Sequence, residues 1–239
     1  MKFLNIYQRE TNTESTFLHL KKMKEIAKNV YQIPLLPRNS INCYVIDDVL
    51  IDSGIRSSSN KILRAIKNVK ISKHALTHAH ADHQGSSDSI CNTLNIPLWT
   101  SELEKNNAES GNVTNEYPDR NHLIAQFQQN FWAGKGHKVS RILKEGDSVG
   151  SFTVIETPGH SRGHISFFRE MDKVLIVGDA LINMNLVTTI VGLNQPPNLF
   201  TTDKKMNMES IKKIYALKPK IICFGHGPIL YDKGIWRDF

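Results

Sequence analysis

The chain has 239 residues, 40% of them hydrophobic, and carries 30 Lys plus Arg against 23 Asp plus Glu for a formal net charge of +7. That length fills one good core as a single domain, and no uncharged apolar run is long enough to span a bilayer. Residues 1 to 22 hold charges and Thr/Asn/Ser clusters with no apolar signal-peptide core, and the three cysteines, Cys43, Cys91 and Cys223, fit reduced thiols filling a core, so a cytoplasmic protein is expected.

In chain order, Val30 to Leu35 reads as a strand and Asn42 to Asp52 as a hairpin turning at Asp47-Asp48. Asn60 to Val69 reads as a helix with Ile62, Leu63 and Ile66 on one face. Ile71 to Leu76 is a short strand, interrupted by Ser72, Lys73 and His74. Gln84-Gly85-Ser86 reads as a helix start, and that helix runs through Ile90 and Leu94 to a short strand at Pro97 to Thr100. From Glu102 to His137 the pattern loosens. Asn106 to Asn115 is rich in Asn, Ser and Gly and reads as loop. A helix starting at Asp119 carries Leu123, Ile124, Phe127 and Phe131, with Trp132 beside it. Its apolar side chains are expected to pack on the domain, the alternative being that they line an acyl pocket. Phe152 to Glu156, Val174 to Val177 and Ile221 to Phe224 are strand-like apolar runs, whereas Leu181 to Phe200 reads as irregular. Thr202-Asp203 reads as the N-cap of a last helix whose inner face is Met208, Ile211, Ile214 and Tyr215. Residues 1 to 22 are read as an added, dispensable extension and 23 to 239 as one domain.

The densest signal is Thr77-His78-Ala79-His80-Ala81-Asp82-His83, which packs four metal-ligand side chains into seven residues. Neutral imidazoles and a carboxylate suit zinc or iron. The spacing is not the i, i+4 pair of a helical zinc protease. His78 and His80 stand two apart, which suits the end of a strand, where alternate side chains share a face. Three more turns carry one ligand type each after a β-type run: Pro158-Gly159-His160, Gly178-Asp179 and Gly225-His226-Gly227. Glycine lets the chain turn sharply enough to aim a side chain at a shared point. A lone His or Asp in a glycine turn is usually a cap or a solvated residue; the full set in this order is a metal site. Asp52 is either an outer carboxylate orienting that loop or ordinary turn chemistry. His164 is read as structural, and His19, His74, His122 and His137 as surface or packing residues.

With these motifs in order, the chain resembles the metallo-β-lactamase superfamily, among its glyoxalase II-like and lactonase-like hydrolases. The resemblance runs from about residue 23 to 230 and rests on Leu50-Ile51-Asp52-Ser53-Gly54, the His78 to His83 loop, His160, Asp179 and His226. It implies an αββα sandwich, two packed β-sheets flanked by helices. It also implies two divalent metal ions per chain, zinc first with iron or manganese as alternatives. His78, His80 and His160 would hold one, Asp82, His83 and His226 the other, and Asp179 would bridge them. The expected activity is hydrolysis of an ester, thioester or lactone by a metal-bridging hydroxide, with Asp82 or Asp179 moving the proton. No Gly-x-Ser-x-Gly nucleophile turn is present in the sequence.

Two departures bear on substrate. Homoserine lactonases of this type place a tyrosine three residues after the bridging aspartate, where this chain has Ile182. Glyoxalase II enzymes follow that aspartate with a Gly-Cys-Gly-Arg-like segment and a basic C-terminal region, which Asn183 to Asn194 and the end at Phe239 do not reproduce. The rival classes are a mononuclear iron persulfide dioxygenase and a non-catalytic metal-binding module. The expected partner is a small molecule, and an anionic one suits the charge. Neither nucleic acid nor membrane is expected as a partner, and the sequence leaves the oligomeric state open.

Overall fold

Several apolar runs of this chain are covered on both faces, and that dictates the layering. The computed structural model describes residues 23–232, so the extension expected at 1 to 22 lies outside the described residues. One sheet has seven strands in sequence order: β1 (Lys24–Ala27), β2 (Val30–Pro34), β3 (Asn42–Ile46), β4 (Val49–Ile51), β5 (Lys73–Ala75), β6 (Leu98–Ser101) and β7 (Val139–Leu143). Its first four strands pair antiparallel and β4 to β7 pair parallel. The parallel half is threaded by helices α1 (Ser59–Ala65), α2 (Ala81–Gln84), α3 (Ser87–Leu94), α4 (Lys105–Ser110) and α5 (Leu123–Phe127), the last continuing into a π-helical turn at Gln128–Trp132.

The second sheet contains β8 (Ser148–Val149), β9 (Phe152–Glu156), β10 (Ile165–Arg169), β11 (Val174–Gly178), β14 (Ile221–Phe224) and β15 (Leu230–Tyr231). A separate hairpin, β12 (Ile182–Met184) with β13 (Val191–Asn194), and helix α6 (Lys204–Ala216) lie between β11 and β14 in sequence. No helix among the described residues is long and apolar enough to cross a membrane.

Period-two alternation assigns each apolar side chain to a layer. Tyr44, Ile46, Val49 and Ile51 of the first sheet meet Val154, Phe167, Ile176 and Cys223 of the second in the central core. The alternate residues Cys43, Val45 and Leu50 face Ile62 of α1 and Ile90 of α3 on the outside. Leu175, Val177, Ile222 and Phe224 likewise face Ile211 and Ile214 of α6. The result is the expected four-layer αββα sandwich. Cys43, Cys91 and Cys223 are buried free thiols, as core filling requires.

Three expectations about the irregular stretches are corrected. Residues 106 to 110 of the expected loop are helical within α4, which buries Asn107 and Ala108 and ends at a left-handed Gly111, φ 73°. The polar composition hid a helix anchored by only those two side chains. The stretch 181 to 200 holds the β12–β13 hairpin, whose turn is capped by Asn185 Oδ1 accepting from the amides of Val187 and Thr188. The helix expected from Asp119 starts at Leu123, and its apolar side chains do not pack as expected: Leu123, Ile124, Phe127 and Phe131 are all exposed, Leu123 by 80%. The Asp203 N-cap is as expected, its side chain accepting from the Met206 amide, while Met208 is only partly buried on the inner face of α6.

At one end the two sheets are joined by the Tyr44 hydroxyl, which donates to the Phe224 carbonyl, and by the buried Asn42 amide. Asn42 Nδ2 reaches the carbonyls of Asn39, Phe224 and Gly227 at 3.1, 3.1 and 2.9 Å, while its Oδ1 accepts from Gln32. Asn42→Ala takes the partner from the Gly227 carbonyl and from Gln32 Nε2, while the Asn39 and Phe224 carbonyls keep the Gly227 amide and the Tyr44 hydroxyl, and it should cost about 1–3 kcal/mol in urea unfolding. A loss smaller than about 0.5 kcal/mol, the scale of an ordinary surface change, would show that the amide is not a structural tie.

Candidate metal centre

Every candidate ligand stands where a strand stops. The loops after β4, β5, β9, β11 and β14 converge at the end of the sandwich where Asn42 bonds Gly225 and where the Ile165 amide donates to the Thr77 carbonyl. His80 is the N-cap of the one-turn helix α2, so Asp82 and His83 come back over the same point half a turn later. His160 sits on a loop that rests on the start of α6. Gly159, φ +130°, is obligatory there, because a Cβ would lie 2.1 Å from the Asn207 amide nitrogen. His226 follows Gly225, whose own missing Cβ leaves room beside Asp179 Oδ1 and His83.

All seven predicted residues are brought together and buried. Three overlapping groups, His78/His80/His160, His78/His83/Asp179 and Asp82/His83/His226, each keep their ligand atoms within 4.8 Å of one another. Buried polar atoms are normally hydrogen-bonded. Here Nε2 of His78, His80, His83 and His160 and Oδ1 of Asp179 are buried without a hydrogen-bond partner. Lone-pair atoms crowded together with nothing opposite them match the donor set of a cation site, so the residues present fit metal binding.

The opposite edges of the rings are held, which aims the free nitrogens inward. Asp52, in the left-handed region at φ 58°, is the main holder. Its Oδ1 accepts from the Thr77 amide at 2.8 Å, and its Oδ2 accepts from Thr77 Oγ1 and from His83 Nδ1, both at 2.9 Å. Since the Thr77 hydroxyl donates to Asp52, His78 Nδ1–H must donate to Thr77 Oγ1, 3.0 Å away, leaving Nε2 as the acceptor. Thr201 Oγ1 donates to the Pro197 carbonyl and so accepts from His160 Nδ1, and His226 Nδ1 donates to the Ser40 carbonyl. The Asp52 geometry is that of an orienting carboxylate.

His164 does not join the cluster. Its Nε2 accepts the Asp179 amide at 3.0 Å and its Nδ1 therefore donates to Thr157 Oγ1 at 2.8 Å, so it fixes the backbone of Asp179. That is the structural role expected. His74 is also buried, bonded to the Leu50 carbonyl and Ser87 Oγ. Two residues that the sequence reading passed over approach the site. Tyr117 sets its ring edge-on to His80 at 4.7 Å and to Phe200 at 5.4 Å. Glu104, fully buried, accepts from the Ala79 amide between His78 and His80. The available signal was position: Glu104 follows the end of β6 as the ligands follow their strands.

The electrostatics divide the histidines. Burial, then repulsion from neighbouring rings, holds His78 and His160 well below the usual imidazole value and His80 at about 3, so this trio is neutral. Burial also opposes charge on His226 and His83, but the carboxylates beside them win. Asp179 and Asp82 bring His226 to about 10, and Asp179 and Asp52 hold His83 well above its ordinary value. In return, against the desolvation that opposes it, His226 and His83 keep Asp179 ionised. A cavity of about 740 Å³ beside the His160 loop is lined by Pro158, His164 and Met206 among others, and none of the seven clustered side chains lines it.

Comparison with known proteins agrees with this geometry. The family described as the metallo-beta-lactamase superfamily matches residues 36–226. The chain is 28% identical over 231 residues to the probable metallo-hydrolase YybB of Bacillus subtilis, covering 91% of this chain and 96% of that one. It is 30% identical over 216 residues to the probable metallo-hydrolase YflN of the same organism, covering 80% and 79%. Among solved structures, TTHA1623 in a di-iron-bound form superposes with a TM-score of 0.64 at 26% identity, covering 84% of this chain and 93% of that one. The B3 metallo-beta-lactamase BLEG-1 gives 0.65 at 27% over the same shares.

The split histidines give the metal-free protein opposite pH limbs. His74, His78, His80, His160 and His164 have lowered values, so their contribution is present above the unfolded value of 6.5 and is lost as pH falls. His83 and His226 have raised values, so theirs is present below 6.5 and lost as pH rises towards about 10 for His226. With a chelator present, urea midpoints should therefore peak near neutral pH and fall at both pH 5 and pH 9 (roughly 1.5 and 2.5 units from the unfolded imidazole value). A flat profile across that range would overturn the assignment.

Proposed function

The chain belongs to the metallo-beta-lactamase superfamily, and from that premise we propose that it is a binuclear metal-dependent hydrolase of ester, thioester or lactone carbonyls. The observation that carries the reading is the cluster of buried histidine and carboxylate ligand atoms drawn from four separate strand ends, several of them without a hydrogen-bond partner. His78, His80 and His160 would hold one ion, Asp82, His83 and His226 the other, and Asp179 would serve both. The overlap of the three ligand groups through His78, His83 and Asp179 supports that sharing. Two divalent ions, when bound, lower the pKa of water to about 7 and polarise a carbonyl.

The protein's own groups supply orientation and proton movement. Asp52 and the Thr77 hydroxyl lock the ring planes of His78 and His83. Asp82 is the more accessible of the two site carboxylates, its side chain 11% exposed against 6% for Asp179. Its Oδ2 lies 3.2 Å from His226 Nε2. We assign Asp82 the transfer of a proton to the leaving alkoxide or thiolate, and Asp179 the balancing of charge between the two ligand groups.

Substrate preference follows from what stands around the site. Ile182 is buried within the β12 strand and offers no phenol. The irregular walls, residues 119 to 132 and 181 to 200, match neither of the resembling enzymes. We propose small activated esters or thioesters rather than homoserine lactones or S-lactoylglutathione. Zinc is proposed first, and the di-iron form of TTHA1623 makes iron the alternative.

Elemental analysis of protein purified without chelator should give about two ions per chain; zero would sink the reading. Asp179→Ala should keep the circular dichroism of the parent and lower kcat/KM on an aryl ester by roughly 10³-fold, about 4 kcal/mol of barrier. Turnover equal to the parent would remove Asp179 from the mechanism. On a homoserine lactone, kcat/KM should stay below about 10⁴ M⁻¹s⁻¹, the lower end of ordinary enzyme efficiency. A value at or above it would overturn the substrate assignment.

A further inference from the structure

We propose that Glu104 is a positioning residue: it clamps the loop bearing His78 and His80 to the loop bearing His160 and so sets the metal affinity of that trio. This rests on the reading that the trio binds metal. Glu104 lies just past the end of β6 and opens α4, where its carbonyl accepts from the Ala108 amide. Its side chain is fully buried. The carboxylate spans two loops. Oε2 accepts from the Ala79 amide at 2.8 Å, and Oε1 accepts from Ser161 Oγ at 2.6 Å and from the Gly163 amide at 3.0 Å. Ala79 lies between two members of the trio and Ser161 directly follows the third.

The contact suits a carboxylate: burial, then Glu116, raise the Glu104 pKa to about 7, and the three donors oppose that shift by favouring the ionised form. All three partners point a proton at it, and none of them is a cation. Burying an anion among neutral groups is costly unless donors replace its water, so such a group persists where something depends on it. A glutamine in its place has one oxygen. Whichever way its amide turns, the NH₂ faces a backbone N–H, that of Ala79 or that of Gly163. The backbone has also made room. A Cβ on Gly163 would stand 2.9 Å from Glu104 Cγ and 2.4 Å from Ser101 Oγ, so this approach is open to glycine alone.

The clamp is one-sided. None of the three partners belongs to the turns that carry Asp179 and His226. His83 is tied elsewhere, by Asp52 and by the Ser53 hydroxyl, which donates to the His83 carbonyl, and Asp82 faces His226. Loosening Glu104 should therefore weaken one ion and spare the other. A residue that merely supports the fold would lower the melting temperature and affect both ions alike.

The test is zinc titration of the chelator-stripped full chain against a chromophoric competitor, with His160→Ala as the reference that identifies the trio site. Glu104→Gln should weaken the site that His160→Ala abolishes by roughly 10–100-fold, the usual effect of losing an orienting contact. The other site should stay within about twofold, inside the scatter expected of an uncoupled position. Ser161→Ala removes one donor only and should weaken the same site by about 2–10-fold, the scale of one hydrogen bond. It decides the matter if Glu104→Gln does not fold. Parent protein that binds no zinc overturns the metal reading and this inference with it. Parent protein with two sites, beside variants whose two sites are unchanged or weakened equally, overturns the role of Glu104 alone.

Discussion

Four buried lone-pair atoms without a hydrogen-bond partner, Nε2 of His78, His80 and His160 and Oδ1 of Asp179, sit at the centre of the described fold, and the surroundings are arranged to keep them so. A histidine left alone would rotate to find a hydrogen bond through either ring nitrogen. Here the outer nitrogen is already engaged: by Thr77 in His78, Asp52 in His83, Thr201 in His160 and the Ser40 carbonyl in His226. The inner nitrogen is then the only one left to face the cluster. Convergence of several such rings requires that five strands end together. The sandwich supplies this, because β4 and β5 run parallel in one sheet, β11 and β14 run parallel in the other, and their ends meet through Asn42.

Holding that arrangement without its ions carries a definite electrostatic cost. Three carboxylates, Asp52, Asp82 and Asp179, are buried around it, and His83 and His226 are pressed into their charged form to match them. On the His78/His80/His160 side burial and repulsion between the rings outweigh the pull of Asp179, and the trio stays neutral. A divalent ion held by the trio would use three neutral imidazoles, whereas one held by Asp82, His83 and His226 would require those histidines to give up protons. The two halves thus differ before any ion arrives: one is prepared by geometry, the other by charge. Two left-handed residues serve the site: Asp52, φ 58°, which presents the orienting carboxylate, and Gly178, φ 57°, which precedes Asp179.

Much of this was legible in the sequence. The alternation in Cys43-Tyr44-Val45-Ile46 and in Leu175-Ile176-Val177 assigns side chains to two faces, and both faces being apolar implies cover on both sides. The ligands were legible because four of them crowd into the Thr77 to His83 loop and the other three, His160, Asp179 and His226, each stand in a glycine turn after a strand. What was missed lacked one of those marks. Helix α4 buries one asparagine and one alanine, which no hydrophobic period can show. The β12–β13 hairpin is built from strands of three and four residues turned by an asparagine side chain. Glu104 is a charged residue in a polar stretch, and only its three-dimensional partners reveal that it is buried.

The misjudged packing of Leu123, Ile124, Phe127 and Phe131 has a different cause. Periodicity reports which side chains share a helix face; it does not say that the face is covered. In this chain the helix is anchored instead through Ala125, through Gln128, which accepts from the Tyr117 hydroxyl, and through its C-terminal end. Trp132 packs on Ala81 and Val113, its carbonyl accepts the Arg56 amide, and Gly134 meets Gly85 so closely that a Cβ on Gly134 would fall 2.0 Å from the Gly85 carbonyl oxygen. Those anchors seat it on α2, the helix of Asp82 and His83, while Tyr117 just before it reaches His80 and Phe200. Both irregular stretches therefore touch at the rim of the ligand cluster. In the hydrolysis proposed, the cluster itself would be chemically generic, since an activated water would attack whatever carbonyl reaches it. Discrimination among carbonyl substrates must come from groups that hold the rest of the molecule, and the side chains of these two stretches are the ones this fold brings to that position.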